Sequence, residues 1–507
     1  MDVKIGKQGG GGSLGATEAA IWFWSVFGLF AAMWILLPTL LHTSHWGDPS
    51  EMQSIAPEWT LSTTKLPNLP SWILEIVNIL TNRAFAAPFI AMQLCALLAF
   101  WSVWQLGRTV LDERLALLAV FSVFAYDFFT KHTHIYNHNT VLIAFWCVSI
   151  YLTFQAFQTN RKRYWIGAGI ALGLAFYAKI SAVFLVIAIL TYMIMRKEGR
   201  KHWRTPGPYI TTSLAFLVFL PNLIWLISND FAPLSYAKDR PELLHWYQQA
   251  LTPINFASKQ LVYCIKTLII LIPVIGFIWQ WKLQRHEQGK AKECEKFLFY
   301  CFAVPVLCHM IYCGIYGVHL RMSYGAAFWV FIGLWLILRF QPMKEPHRFF
   351  RKTVILMMVV VLFTAAEWSV NSYSGKFHGN YYPMRELGTT SERLWQSHAS
   401  GNIPYIASDC RNLSCGGFAG IAAQTMSVRP SVIMPQGTWA NDDDLNRKGG
   451  MIIWERHCDD REMPEYLRQR FPEAIVLPEA PELPYNVGRE TRILRIGIAI
   501  VPPPENR

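Results

Sequence analysis

The octapeptide HWGDPSEM, residues 45–52, sets two carboxylates, Asp48 and Glu51, three positions apart. If DPSEM opens a helix, with Asp48 as N-cap and Pro49 at the first helical position, both side chains share one side of a turn. Two readings follow. One is a pair of catalytic carboxylates. The same Asp-x-x-Glu arrangement is also a capping box, which stabilises a helix and does no chemistry.

Lys179, in FYAKIS, is the second candidate. A lysine between two apolar runs is costly unless it snorkels to the interface or meets an anion, and a phosphate at the membrane surface satisfies it better than water alone. The third is THIYNHNT, residues 133–140, where His134 and His138 stand four apart and Asn137 and Asn139 flank His138. Two histidines at that spacing can share a helix face and bind a metal. With no third ligand nearby in sequence, interfacial hydrogen bonding is expected instead, with Asn139 capping the following helix. Arg321, beside His319, sits in a short turn, either solvated or binding phosphate or carboxylate.

These residues punctuate a membrane protein. Of 507 residues, 53% are hydrophobic and 14% aromatic, and the mean hydropathy is +0.23, which excludes an ordinary soluble domain. Apolar windows long enough to span a bilayer as helix recur from residue 21 to about residue 371 and then stop. The first of them, residues 21–41, is too long and too aromatic for a signal-peptide core and is expected to be retained. The net charge of +12 falls mainly in alternate loops, which speaks for membrane topology and against nucleic acid.

The alternation closes with eleven spans, placed at 21–41, 86–106, 115–130, 140–157, 165–178, 180–195, 209–228, 259–281, 298–316, 324–339 and 353–371. Charge is read at the ends of these spans. The fifth and sixth form a hairpin with Lys179 at its apex. Three domains are expected: a flexible cytoplasmic tail 1–20, a transmembrane domain 21–371 with external loops 42–85 and 229–258, and an external soluble part 372–507. Within the first loop SWILEIVNIL reads as an interfacial amphipathic helix. The fold class is an α-helical polytopic membrane protein with a small C-terminal α/β or α+β domain, where short β-branched runs alternate with Pro, Gly and Asp. Cys410 and Cys415, in CRNLSC, lie in that external part and are able to pair in an oxidising compartment.

The acidic residue opening the first loop, its continuation KLPNLPSWIL, NTVLIAFW, GLAFYAKISAVFLVIAI and above all RTPGPYITTSLAFLVFLPNLIWLISNDF, residues 204–231, together resemble the polytopic C-type glycosyltransferases. The resemblance covers about residues 20–340. It points to the bacterial branch related to protein O-mannosyltransferases and to lipid A aminoarabinose and galacturonic acid transferases. It implies transfer of a sugar from a polyprenyl-phosphate donor to a lipid or envelope glycan, at the periplasmic face of a bacterial inner membrane, with the N-terminus cytoplasmic. Asp48 then stands at the catalytic acidic position, assisted by Glu51. Lys179 stands at the donor-phosphate position, with Arg321 beside it, and Lys65, His134, His138 and Asn139 fall to the substrate pocket.

Two departures from the family pattern matter. Where relatives often carry an acidic residue at the start of the fourth span this chain has Asn139, so no cofactor is expected and a divalent ion between two carboxylates is disfavoured. The usual Asp-Glu opening is here Asp-Pro-Ser-Glu, which leaves the role of Glu51 open. A protein O-glycosyltransferase of the same fold is the alternative. A transporter is the rival class, but it requires ionisable residues near mid-membrane and broken helices in two matching halves. A non-catalytic scaffold leaves Asp48 and Lys179 without a role.

Overall fold

The computed structural model describes residues 14–238, 246–275, 289–318, 320–340, 346–408, 417–456, 462–479 and 481–503. Cys410 and Cys415, His319 and the first thirteen residues of the tail lie outside them.

The bundle begins with α1 (Ala16–Leu41), a short α2 (Asp48–Ile55) and α3 (Leu69–Leu80), followed by α4 (Ala87–Val110), α5 (Glu113–Phe124), α6 (Asp127–Thr130) and α7 (His138–Thr159). Next come α8 (Lys162–Ala178), α9 (Val183–Met195), α10 (Lys197–Arg200), α11 (Gly207–Ser228), α12 (Ala232–Lys238) and α13 (Trp246–Ile275). The last of the bundle are α14 (Lys290–Tyr316), α15 (Ile332–Phe340) and α16 (Pro346–Tyr373).

Among the described residues seven helices are long and apolar enough to cross a membrane, or nine if each of two bent pairs is one span. The expected third and fifth spans are the 12-residue α5 and the 17-residue α8, both shorter than that measure. The expected tenth span is bent by 48° where a 3₁₀ stretch, Met322–Trp329, meets α15. Part of the expected loop 229–258 is helical, since α12 and the start of α13 fall in it.

Burial sorts the helices. α7 is the central one, with 83% of its apolar window buried, whereas α11 lies at the rim with 17%. α1 also faces outward, burying Phe23, Phe27, Phe30 and Trp34 while Leu29, Leu36 and Leu40 stay exposed. α8 crosses α11 closely because Gly169 and Gly173 carry no side chain. A Cβ at Gly169 would lie 2.7 Å from the Thr211 carbonyl oxygen, the close approach that small residues four apart allow in membranes. The α8–α9 hairpin forms as the sequence implies: Lys179 takes an extended conformation (φ −165°, ψ 132°) and ends α8. One charge departs from the expected pattern. Lys266, inside α13, pairs with Asp127 at 2.5 Å and reaches Thr364 Oγ1 at 3.1 Å. Pairing of the half-buried Lys266 with the buried Asp127 keeps an ionisable residue inside a span.

The C-terminal part contains α17 (Met384–His398), β1 (Tyr405–Ser408), α18 (Gly417–Ala423), β2 (Ser431–Val432), α19 (Asp442–Lys448) and β3 (Gly450–Glu455). It closes with α20 (Glu465–Arg470), β4 (Ile475–Val476), β5 (Glu482–Val487) and β6 (Glu490–Val501). The sheet order is β2-β1-β3-β6-β4, with β5 also on β6. β1 runs parallel to β2 and β3, and β6 is antiparallel to β3, β4 and β5.

Alternation along the strands gives the sheet two apolar faces. Ile406, Met451, Ile453, Ile498 and Ile500 join the core shared with the bundle. Ala407, Ile452, Trp454, Ala499 and Val501 pack with Leu445, Leu467 and Phe471 on the other side. The link is α18, buried along its whole length. A Cβ at Gly420 would lie 2.5 Å from Ser54 Oγ of α2, so the sheet is seated on the helix that carries Asp48 and Glu51.

Candidate active site

α2 does not use its carboxylates as caps. The N-cap is Gly47, whose φ of 73° a side chain would resist, and it makes no side-chain capping bond. Asp48 is instead the first helical residue, so the expected capping role is corrected on both carboxylates. With Gly47 turning the chain, the Asp48 side chain is left to reach α7, and Asp48 Oδ2 accepts from Asn137 Nδ2 at 2.8 Å. Glu51 turns away from the helix start and is buried. Both its oxygens accept from Lys65 Nζ at 2.8 Å, and Gln436 Nε2 donates to Oε1 at 3.2 Å. Burial pushes the Glu51 carboxyl above its usual range, while Lys65 pulls it back and Asp48 adds to the rise.

The cap of α7 is Asn137, not Asn139. Asn137 Oδ1 accepts from the backbone N–H of Asn139 and Thr140, and the Thr140 hydroxyl closes a capping box. Two asparagines two apart compete for one cap, and the one with a hydroxyl three residues on wins, because both partners are then satisfied. Asn139 is thereby free for Lys179, whose Nζ donates to Asn139 Oδ1 at 2.8 Å. The ammonium also lies 4.0 Å from the centre of the Tyr324 ring, a cation–π contact. Lys179 is buried, so its charge is held at the hairpin apex and not in bulk water.

One polar run therefore joins three elements: Asp48 to Asn137, Asn137 to the backbone of Asn139, and Asn139 to Lys179. Arg321 is exposed and precedes the 3₁₀ stretch that carries Tyr324. The Tyr324 N–H donates to the Arg321 carbonyl at 3.1 Å, which puts Arg321 in the same turn as the ring over Lys179. His138 is buried at the start of α7, hydrogen-bonded to the backbone of Pro67 and within electrostatic reach of Lys65 and Lys179. Its Nε2 has no hydrogen-bond partner among the described residues.

His134 is not part of this run. Its Nδ1 accepts from Trp368 Nε1 at 3.1 Å, and its ring packs against Phe377 and His42. Burial holds its imidazole well below the usual range, with His42 adding to the drop. Lys65 serves Glu51 and belongs to the seam with the sheet. Asn137 and Tyr324 are the site residues that the sequence reading passed over. Asn137 had a signal, the Asn-x-x-Thr spacing; Tyr324 had none locally.

Among the described residues no group of three or more His, Cys, Asp or Glu side chains comes together, and Asn139 Oδ1 is occupied by the Lys179 ammonium.

The helical bundle with its docked C-terminal sheet is similar in fold to polytopic C-type glycosyltransferases, and part of its sequence is similar to proteins of that class. Residues 65–225 match the family model described as dolichyl-phosphate-mannose-protein mannosyltransferase, a stretch that includes Asn137, Asn139 and Lys179. The lipid A galacturonosyltransferase RgtD of Rhizobium johnstonii is 22% identical over 172 residues, 34% of this chain and 34% of that protein. The match thus spans about a third of the relative's length.

Two crystal structures of ArnT from Cupriavidus metallidurans share the fold. The one bound to undecaprenyl phosphate gives a TM-score of 0.54 at 12% identity, covering 96% of this chain and 98% of that one. The apo structure gives 0.55 at 14% identity, covering 95% and 98%.

Proposed function

We propose that this chain is an inverting membrane glycosyltransferase that moves a sugar from a polyprenyl-phosphate donor to a lipid or envelope glycan at the periplasmic face of the inner membrane. The observation that carries the reading is the polar run from Asp48 to Lys179, which links a carboxylate to an ammonium through neutral amides alone. A transfer from a lipid phosphate needs these two ends: a base for the incoming hydroxyl and a cation for the departing phosphate.

In this mechanism Asp48 takes the proton of the acceptor hydroxyl as its oxygen bonds to the anomeric carbon. The bond from that carbon to the phosphate oxygen breaks on the opposite side, and the electron pair leaves with the polyprenyl phosphate. Lys179, with Arg321 at the rim, neutralises the charge that develops there. The N–H from Asn137 fixes Oδ2 of Asp48 and leaves Oδ1 without a hydrogen bond among the described residues. If the acceptor is an already ionised phosphate, Asp48 orients it instead.

The orphaned His138 Nε2 supports a polar ligand beside Lys179, since a buried unpaired nitrogen costs about 1–3 kcal/mol. The donor class is supported by undecaprenyl phosphate in ArnT, and the lipid acceptor by the name of RgtD. No step uses a metal. The description of the matched family favours a protein acceptor as the second reading.

Mass spectrometry of envelope lipids, glycans and glycoproteins tests the proposal, comparing wild-type cells, cells lacking the chain and cells with Asp48→Asn. A sugar mass lost in both defective strains is expected on a lipid or glycan. Loss from glycoproteins alone would select the protein acceptor, and three unchanged profiles would refute transfer.

A further inference from the structure

A polar cavity of about 490 Å³ lies between the end of α1, the first loop, the start of α17 and the segment that follows α18. It is apart from the polar run: Gln53 of α2 lines it, five residues beyond Asp48, or about 7.5 Å along the helix axis. Three arginines line it, Arg83, Arg385 and Arg429. Arg83 is matched, donating to both oxygens of the buried Glu75 at 2.5 and 3.3 Å. The other two are not, and neither has a hydrogen-bonded or ion-paired acceptor for its guanidinium among the described residues.

Arg429 is partly enclosed, and burial, with Arg83 nearby, lowers its guanidinium to about 10 although Glu75 and Glu58 oppose the drop. Glu58 accepts from Ser431 Oγ at 2.6 Å and forms no ion pair with Arg429. Arg385 stands exposed in the first turn of α17, beside the exposed Glu386.

The neutral groups of the cavity are already occupied. Thr39 donates to the Ile35 carbonyl, Thr43 to the Tyr382 carbonyl, Thr425 to the Met384 carbonyl, and Gln53 and Asn78 bond each other. His42 and His45 are held neutral, burial lowering them to about 4 and about 3. What the cavity offers a ligand is therefore two guanidiniums, whose planar forks match a phosphate oxygen pair, set against one carboxylate, that of the exposed Glu386 at its rim.

The level of the cavity identifies the source. Thr39 belongs to the last turn of α1, where the apolar span ends. α3, which leads to Arg83, exposes Ile76, Ile79 and Leu80 at 49, 60 and 79%. Three exposed apolar side chains on one edge of a helix beside a span end mark the depth of the lipid headgroups.

We propose that this cavity is a second anion site, which takes the phosphate of a lipid headgroup on Arg429 and Arg385. It holds whether or not the chain transfers sugar.

The test uses the full chain in nanodiscs of dioleoyl phosphatidylcholine alone or of equimolar phosphatidylcholine and dioleoyl phosphatidic acid, and in detergent with inorganic phosphate. The reading is the thermal midpoint by tryptophan fluorescence. Phosphatidic acid is expected to raise the wild-type midpoint. The rise should shrink by at least half in Arg429→Gln and Arg385→Glu, and persist in Lys179→Gln and in Arg393→Glu, an exposed change on α17 outside the cavity. Because Arg385 is exposed, its variant carries the test if Arg429→Gln fails to fold. Equal loss in Arg393→Glu would reduce the effect to general surface charge, and loss in Lys179→Gln alone would assign it to the first site; either overturns the proposal. An Arg429-dependent rise with inorganic phosphate and none with phosphatidic acid would overturn the lipid source.

Discussion

Asp48 and Glu51 stand three residues apart on one helix but belong to regions built on opposite principles. Around Asp48 and Lys179 the bonds run through neutral amides and an aromatic face. Around Glu51 charge meets charge: Lys65 grips both oxygens, and Gln436 ties the pair to the C-terminal sheet. Breaking a buried matched pair is costly, so such pairs hold structure together. A carboxylate whose partner is a neutral amide keeps capacity for a ligand. α2 is thus a divided element, its first residue facing the candidate site and its second turn bolting loop 42–85 to the C-terminal part.

The largest expected break in this contrast is at the site. Lys179→Gln should lower the transfer rate by about 10²–10³-fold with the thermal midpoint little changed, since it removes charge stabilisation of the leaving phosphate. At the seam the reverse holds. Lys65→Met leaves Glu51 buried without its cation and should cost about 3–5 kcal/mol in stability, read as a lowered midpoint, while the double change Lys65→Met with Glu51→Gln recovers part of that loss.

Asn137 sharpens the comparison, because it both caps α7 and holds Asp48. Asn137→Asp keeps the cap, for which both residues serve, but sets a second carboxylate against Asp48. The pH profile of transfer should then move to higher pH, with turnover reduced at pH 7 and recovered as pH rises. A profile in register with wild type would show that Asn137 serves the helix alone.

The smallest effect concerns the loop. His45, stacked on Phe85, and His42 have folded-state values near 3 and 4, below the unfolded 6.5. A depressed histidine contributes stability that is present above pH 6.5 and lost as pH falls towards the folded value. Each should cost about 1 kcal/mol by pH 5.5. The midpoint should fall between pH 7 and 5.5, and His45→Gln should flatten part of that slope.

Much of the bundle was legible because membrane spans declare themselves by length and hydropathy. The break at Lys179 was legible too, since a lysine between two short apolar runs has few other places to be. The bent and short elements were less so: α5 and the 3₁₀ stretch before α15 are apolar because they are buried in protein, and composition does not separate that from lipid. Lys266 escaped notice because its partner, Asp127, is on another helix.

At the candidate site, Asp48 and Lys179 were singled out through their chemistry, whereas the bonds that join them were not legible. Asn139 was expected to cap α7, and Asn137 takes that role instead because the Thr140 hydroxyl completes its capping box. Glu51 was open in the sequence because its partners, Lys65 and Gln436, lie 14 and 385 residues away. Tyr324 reaches Lys179 only through tertiary packing.

The division between the two carboxylates is tested most directly by purified Asp48→Asn and Glu51→Gln chains in proteoliposomes with a polyprenyl-phosphate sugar donor, scoring product by mass spectrometry per folded molecule. The account predicts that Asp48→Asn folds with a wild-type midpoint and loses about 10²–10⁴-fold in turnover. Glu51→Gln should lose stability and keep its turnover once corrected for the folded fraction. Full turnover in folded Asp48→Asn, or its loss in folded Glu51→Gln, would contradict it.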